Sequence, residues 1–194
     1  LSFLALRGLR RRTFRSRPRG GFFNRRASRL PLPAHRALAR LEKEYGGEVV
    51  IVTQNIDPLH EQAGSRNVLH MHGRDGEVRC MQCAHVFDSD IDLTPQSVCP
   101  SCRAMGELRP NIVWFGEMPL HMDEIDAALR RCGLFLAIGT SLGVYPAAYL
   151  PQYALQNGAR LVIMNAQETP YDRYAAAILR GPIGEVLPEV VSLV

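Results

Sequence analysis

Four cysteines in two Cys-x-x-Cys pairs, a cluster of three histidines and a short run of amide and carboxylate side chains are the residues of this 194-residue chain best suited to chemistry. Cys80-Met81-Gln82-Cys83 and Cys99-Pro100-Ser101-Cys102 are separated by fifteen residues. That spacing fits a four-cysteine zinc ribbon, whereas a pair of disulfides or redox dithiols is the competing reading. Four thiolates close a tetrahedral shell around Zn²⁺ and leave no position for water or substrate, so the metal is expected to be structural. Cys132 has no partner motif and reads as a small buried residue.

The second cluster lies between Thr53 and Gly73, in TQNIDPLHEQAGSRNVLHMHG. Gln54, Asn55 and Asp57 follow the apolar run VVIV, and alternation along an extended exit turns at least two of them toward one crevice. Such groups bind a ribose, a carboxamide or a water, and spacing does not choose among these. His72 precedes Gly73 where the regular pattern stops, and an imidazole near its ordinary pKa takes a proton at neutral pH. It is therefore the general-base candidate. His60 reads as a helix-surface residue, and His70 alternates with His72 on a short extended run. Two further segments are candidate ligand walls. Val113-Trp114-Phe115-Gly116-Glu117 is apolar and aromatic, which core packing explains equally well, and Gly143-Val144-Tyr145 offers a backbone edge for strand addition.

The elements that must hold these groups alternate. Ala34, Ala37, Leu38 and Leu41 recur at helical spacing after Pro33, and Gly46-Gly47 ends the run. Glu48 to Thr53 then reads as a strand buried on both faces. Met122 to Arg131 is a helix candidate before the strand Leu134 to Ile138, and Pro146 to Asn157 is one before the strand Arg160 to Met164. This grammar predicts an α/β fold with a Rossmann-like parallel sheet. Each strand ends in polar or small residues: Gln54 to Asp57, Gly139-Thr140-Ser141, and Asn165 to Gln167. Ligands of such sheets bind at the carboxyl ends of the strands. The expected division is a basic head over 1–21, the sheet domain over 22–72 and 113–194, and a zinc module over 73–112.

Charge separates the head from the body. Residues 1–41 carry twelve arginines and no acidic residue, while 42–194 carry a net −8, for a total of +4. The head is expected to lie outside the packed fold, as a basic tail, an organelle-targeting segment or the product of a shifted start. A mildly acidic body argues against nucleic acid, leaving only a head-dependent, salt-sensitive mode. No run reaches the roughly 20 apolar residues of a membrane helix. Paired cysteines of metal type imply a reducing compartment, cytoplasmic or, in a eukaryote, mitochondrial, and a monomer is expected.

From Phe22 to Leu193 the chain resembles the sirtuins, the NAD-dependent protein deacylases. The residues that carry the likeness are TQNIDPLHEQAG, HMHG, both Cys-x-x-Cys pairs, LRPNIVWFGE, IGTSLGVYPAA and GPIGEVLPEVV. It is most similar to the bacterial and mitochondrial branch associated with acidic acyl groups such as succinyl. The resemblance implies NAD as cosubstrate, a structural Zn²⁺, an acylated lysine of a protein substrate bound between the two domains, and release of nicotinamide and O-acyl-ADP-ribose. It implies His72 as the base, Asn55, Ile56 and Asp57 around nicotinamide, and Gln54 near the ribose. It further implies Gly139, Thr140 and Ser141 at the phosphates, Asn165 and Gln167 at the adenosine ribose, and Ile183 at the adenine. Val113, Phe115, Gly116 and Val144 would clamp the acyl-lysine peptide.

Two departures from the family pattern bear on that reading. No stretch of the form GAGxSxxSGxPxFR is present, so the sheet is expected to lack its first strand and the chain to release little nicotinamide. Aligning FFNRR with the family's acyl-pocket Tyr-x-x-Arg puts Phe23 at the tyrosine and Arg26 at the arginine. Arg26 keeps a cation for a distal carboxylate. Loss of the phenol weakens succinyl discrimination by about 1.5–3 kcal/mol. The alternative function is a non-catalytic, zinc-containing module that binds acyl-lysine peptides or proteins.

Overall fold

The computed structural model describes residues 2–7 and 32–192. Strands β1 (Ser2–Arg7), β2 (Glu48–Thr53), β3 (Val68–His70), β7 (Cys132–Ile138), β8 (Arg160–Met164) and β9 (Ala177–Leu179) form one sheet in the order β3-β2-β1-β7-β8-β9. Every pairing in it is parallel. This is the doubly wound order, with its reversal between β1 and β7.

β1 corrects the sequence reading at its most consequential point. Ser2–Arg7 was expected outside the fold, and the sheet without a first strand. Instead β1 pairs along its whole length with β2 on one side and β7 on the other. A central parallel strand announces itself only as a short apolar run, and Phe3 to Leu6 is such a run, obscured by the arginines that follow. The head from residue 8 to 21 lies outside the described residues.

The helices cover both faces. α1 (Pro33–Glu44) starts with proline at its first position, where the missing N–H costs nothing. It buries Ala34, Ala37, Leu38 and Leu41 against Ile51, Leu136 and Ile138, together with Leu187 of α5 (Ile183–Val191). On the opposite face α3 (Met122–Arg130) and α4 (Leu150–Gln156) place Ile125, Leu129, Leu150 and Ala154 over Val50, Val52, Phe135 and Ala137. Consecutive residues of β2 thus enter different cores, as period-two alternation requires. Burying a side chain such as Phe135 or Ile51 is worth about 1.5–3 kcal/mol, so the sheet centre is the rigid base on which the strand ends stand.

Three differences from the expected elements are local. The helix expected over Pro146 to Asn157 begins as a 3-10 turn, Ala147–Tyr149, before α4. The strand expected from Leu134 starts at Cys132, where it pairs with Ser2. α2 (Leu59–Gln62) and β3 agree with the helical reading at His60 and the extended reading at His70, whereas β9 and α5 had no expectation, being short or, in α5, interrupted by Pro188.

Between β3 and α3 the chain forms a second, antiparallel sheet, β5-β4-β6, from β4 (Gly73–Cys80), β5 (Val86–Asp88) and β6 (Leu108–Ile112). Arg74 donates to Glu77 (2.9 Å) and Asp88 (2.7 Å), and the Asn111 amide donates to Glu77 (3.0 Å). These bonds tie all three strands at the end that leaves the parallel sheet. Among the described residues no helix is long and apolar enough to cross a membrane.

Candidate active site and metal centre

At the carboxyl end of β2, Gln54 and Asn55 are largely buried, yet their side-chain amides make no hydrogen bond among the described residues and are not sealed from solvent. Such amides at the mouth of a crevice are open to a ligand's donors and acceptors. The turn is held by backbone bonds: Thr53 Oγ1 accepts from the Asn55 amide (3.1 Å), and the Ile56 carbonyl accepts from Asp75 (2.7 Å). Asp57 spends one carboxylate oxygen on the Leu59 amide that starts α2 (3.3 Å).

His72 stands beside this turn. Its Nδ1–H donates to the Gln54 carbonyl (3.1 Å). Because a carbonyl only accepts, the neutral ring carries its proton on Nδ1 and presents Nε2 as the base. Burial pushes its pKa below the ordinary 6.5, and the Gln54 carbonyl pulls weakly the other way. The neutral form is therefore the resting form at pH 7. Any step that uses Nε2 as base rises with pH through a midpoint below 6.5 and is flat above it. A profile that still climbs between pH 7 and 8 would assign the base elsewhere.

The other two histidines are structural. His70 Nδ1 donates to the Asn55 carbonyl (3.0 Å) and Nε2 contacts Glu61 (2.7 Å), so both ring nitrogens are occupied. Partial burial is the largest single influence and raises the Glu61 pKa, but the His70 bond, a backbone bond and the nearby histidines together bring the carboxyl below its usual range. His70 thereby fixes the Asn55 turn from behind. His60 is fully buried, contrary to its reading as a helix-surface residue, with its ring edge-on to His35 at 4.8 Å. The four-residue α2 turns that side chain inward, under α1, which its short sequence did not reveal.

Gly73 makes the exit from His72 possible. Its φ is +82°, and a Cβ there would lie 1.9 Å from the Asn111 carbonyl oxygen. Gly73→Ala is expected to destabilise the chain by about 2–4 kcal/mol and to lower its thermal midpoint. An unchanged midpoint would contradict the close β4–β6 approach. The same approach brings the ligand-wall segment in, since the Val113 amide donates to the His72 carbonyl (3.0 Å).

On the other side of β1, Gly139 leaves β7 with φ +61°, its amide bonded to the Met164 carbonyl (2.8 Å), and its Cα faces Ile183 at the start of α5. Thr140 is buried and accepts from the Leu142 amide, while Ser141 is exposed. The Asn165 side chain donates to the Gln167 carbonyl (2.9 Å). Arg180, not foreseen from sequence, donates to the Asn165 and Gln167 carbonyls (3.2 and 2.8 Å) and pairs with Asp172. It holds that loop by contacts thirteen and fifteen residues away, a separation that leaves no local sequence signal. Phe115 and Val144 are exposed, and the Val144 carbonyl is engaged by the Ala148 amide (2.8 Å), which leaves less free edge there than expected. Arg26 and Phe23 lie outside the described residues.

The four paired cysteines converge. Cys80 and Cys102 sulfurs are 3.7 Å apart, as are Cys83 and Cys99, and all four lie within 4.8 Å of one another. A tetrahedron with Zn–S bonds of ~2.3 Å has edges of ~3.8 Å, whereas a disulfide needs ~2.05 Å. The cluster fits Zn²⁺. The two knuckles repeat each other: Ala84 and Arg103 amides donate to the Cys80 and Cys99 carbonyls (both 3.0 Å), and both residues take positive φ. Cys132 is buried apart from them, its thiol on the Leu134 carbonyl.

Comparison with known proteins fits this geometry. Residues 10–146 match the model of the Sir2 family. This chain belongs to the Sir2 family. An Escherichia coli (strain K12) relative named NAD-dependent protein deacylase is 46% identical over 177 residues, covering 88% of this Sir2-family chain and 63% of the relative. A Trypanosoma brucei NAD-dependent protein deacylase is 46% identical over 175 residues, covering 86% and 72%. Among solved structures, a Sir2 homologue–NAD complex superposes with a TM-score of 0.75 at 40% identity, covering 84% of this chain and 64% of the other. A Sir2 bound to acetylated peptide gives 0.71 at 34%, covering 84% and 70%. The chain thus spans less than two thirds of the length of the bacterial relative.

Proposed function

We propose that this chain is an NAD-dependent protein-lysine deacylase in which His72 is the base. The observation that carries the reading is the set at the β2 exit: an imidazole with Nδ1 pinned to Gln54 and Nε2 free, beside the Gln54 and Asn55 side-chain amides, which make no hydrogen bond among the described residues. Asn55, Ile56 and Asp57 would hold the nicotinamide end of NAD and Gln54 its ribose. Gly139, Thr140 and Ser141 would meet the phosphates, Asn165 and Gln167 the adenosine ribose, and Ile183 the adenine. NAD supplies the ribose carbon to which the acyl oxygen is transferred as nicotinamide leaves. His72 Nε2 then takes the proton of a ribose hydroxyl, and the Gln54 carbonyl stabilises the imidazolium so formed. Val113, Phe115, Gly116 and Val144 would line the acyl-lysine peptide. The four cysteines would hold Zn²⁺ at the end of β4 remote from His72 and would keep β4 and β6, and so the Val113 segment, in place.

This reading is tested by incubating the protein with NAD and an acetyl- or succinyl-lysine peptide, expecting one nicotinamide for each lysine freed. A second reading, an acyl-lysine binder without turnover, is favoured by the absence of a GAGxSxxSGxPxFR stretch. It predicts calorimetric peptide binding with no nicotinamide release in the same sample.

A further inference from the structure

The Val113 to Gly116 segment is the most exposed apolar part of the described chain, yet a dense set of polar bonds surrounds it. Phe115 is 103% exposed relative to a free residue, Trp114 is 59% exposed, and Gly116 has open space around its Cα at φ +92°. The backbone groups of Phe115 and Gly116 make no hydrogen bond among the described residues. Hydrophobic burial does not fix such a loop.

Arg109 and Glu117 do. The Glu117 amide closes the turn on the Trp114 carbonyl (3.0 Å). Its carboxylate takes the Trp114 amide (2.8 Å) and both arms of the Arg109 guanidinium (2.5 and 2.8 Å). Arg109 Nη2 also donates to the Ile112 carbonyl (2.7 Å), Nε to the Pro110 carbonyl (3.3 Å), and the guanidinium lies 4.5 Å from the centre of the Trp114 ring. A planar fork that pairs with a carboxylate on its edge and stacks an indole on its face is a geometry only arginine supplies. The pair also survives acid, because Arg109 holds the Glu117 carboxyl down at about 2.

We propose that Arg109 and Glu117 are positioning residues that lock the turn Trp114–Glu117, so that Phe115 and the free backbone edge at Gly116 are preset to receive the extended backbone of the acyl-lysine substrate. The inference rests on the proposed function for the identity of the ligand. Its physical content is preorganisation: a loop already ordered loses less entropy when the peptide adds to it. The lock stands on β6, which the zinc knuckles anchor at Leu108, and it reaches the base through the Val113–His72 bond. Removing it should weaken the peptide and spare NAD.

Trp114 is the only tryptophan of the chain, so its fluorescence reports on the lock whether or not turnover occurs. The experiment compares wild type, Glu117→Gln and Arg109→Gln by Trp114 anisotropy, by calorimetric affinity for an acetyl-lysine peptide and for NAD, and by zinc content. Expected are lower anisotropy, about tenfold weaker peptide binding, and unchanged NAD affinity and zinc content in both variants. Equal peptide affinity in folded, zinc-loaded variants would overturn the proposal, as would a parallel loss of NAD affinity, which marks general destabilisation. If wild type binds no acyl-lysine peptide, the proposed function fails. Unchanged anisotropy in the variants would then overturn the lock independently.

Discussion

Replacing His72 with alanine is expected to lower nicotinamide-coupled deacylation about 10²–10⁴-fold, the usual worth of a positioned general base. The loss should fall on turnover. The ring is only partly buried, and its one hydrogen bond among the described residues goes to a backbone carbonyl, so the fold around it is not built on the imidazole. Zinc content, thermal midpoint and peptide affinity should therefore stay near wild type. His72→Asn is the sharper variant, since its amide can still donate to the Gln54 carbonyl but offers no basic nitrogen. If asparagine retained full activity, the ring would be a brace and not a base. His70→Ala makes the contrast: it removes the contacts to Asn55 and Glu61 and should lower stability along with activity.

The second large effect concerns the metal centre. Structural zinc contributes about 10–16 kcal/mol to the folding of small cysteine modules, and the β5-β4-β6 sheet has little else. Of its residues, Val78 and Cys80 are fully covered, while Met81, Val86, Val98 and Met105 are exposed. Chelation, or Cys99→Ser, is expected to melt this module and release the metal. The parallel sheet keeps its own two cores and should retain most of its helical circular dichroism. Peptide binding should disappear with the module, because β6 leads directly into Val113. Full peptide affinity in the zinc-free protein would contradict that coupling.

The legible parts of the chain were those whose signal is local. Glu48–Thr53 and Arg160–Met164 were readable to the residue because unbroken apolar runs between turn residues specify buried parallel strands. The cysteine cluster followed from spacing, since two tight knuckles admit few arrangements. The place of His72 beside the β2 exit was readable from its position next to a glycine that the Asn111 contact now explains. What remained hidden depends on partners far along the chain. β1 is a strand because β2 and β7 flank it, more than forty residues away. His60 is buried because α2 lies under α1. Arg109, Glu117 and Arg180 act through bonds to backbone carbonyls and to carboxylates around turns, which composition and periodicity do not encode.

β1 also changes what the missing glycine motif implies. The sheet has its centre, so the β2 and β7 exits stand on either side of one switch point, where a dinucleotide lies in doubly wound folds. On the proposed reading, a sequence without a GAGxSxxSGxPxFR stretch leaves Gly139 and the residues after it to meet the phosphates. Weak NAD affinity with an intact base is the resulting expectation, so the decisive assay uses saturating NAD. The direct measurement is nicotinamide release at millimolar NAD, with and without an acetyl-lysine peptide, alongside His72→Asn. The account predicts release that requires the peptide, matches the lysine freed one for one, and is lost in His72→Asn. Peptide that binds while no nicotinamide appears, or release that persists in His72→Asn, would contradict it.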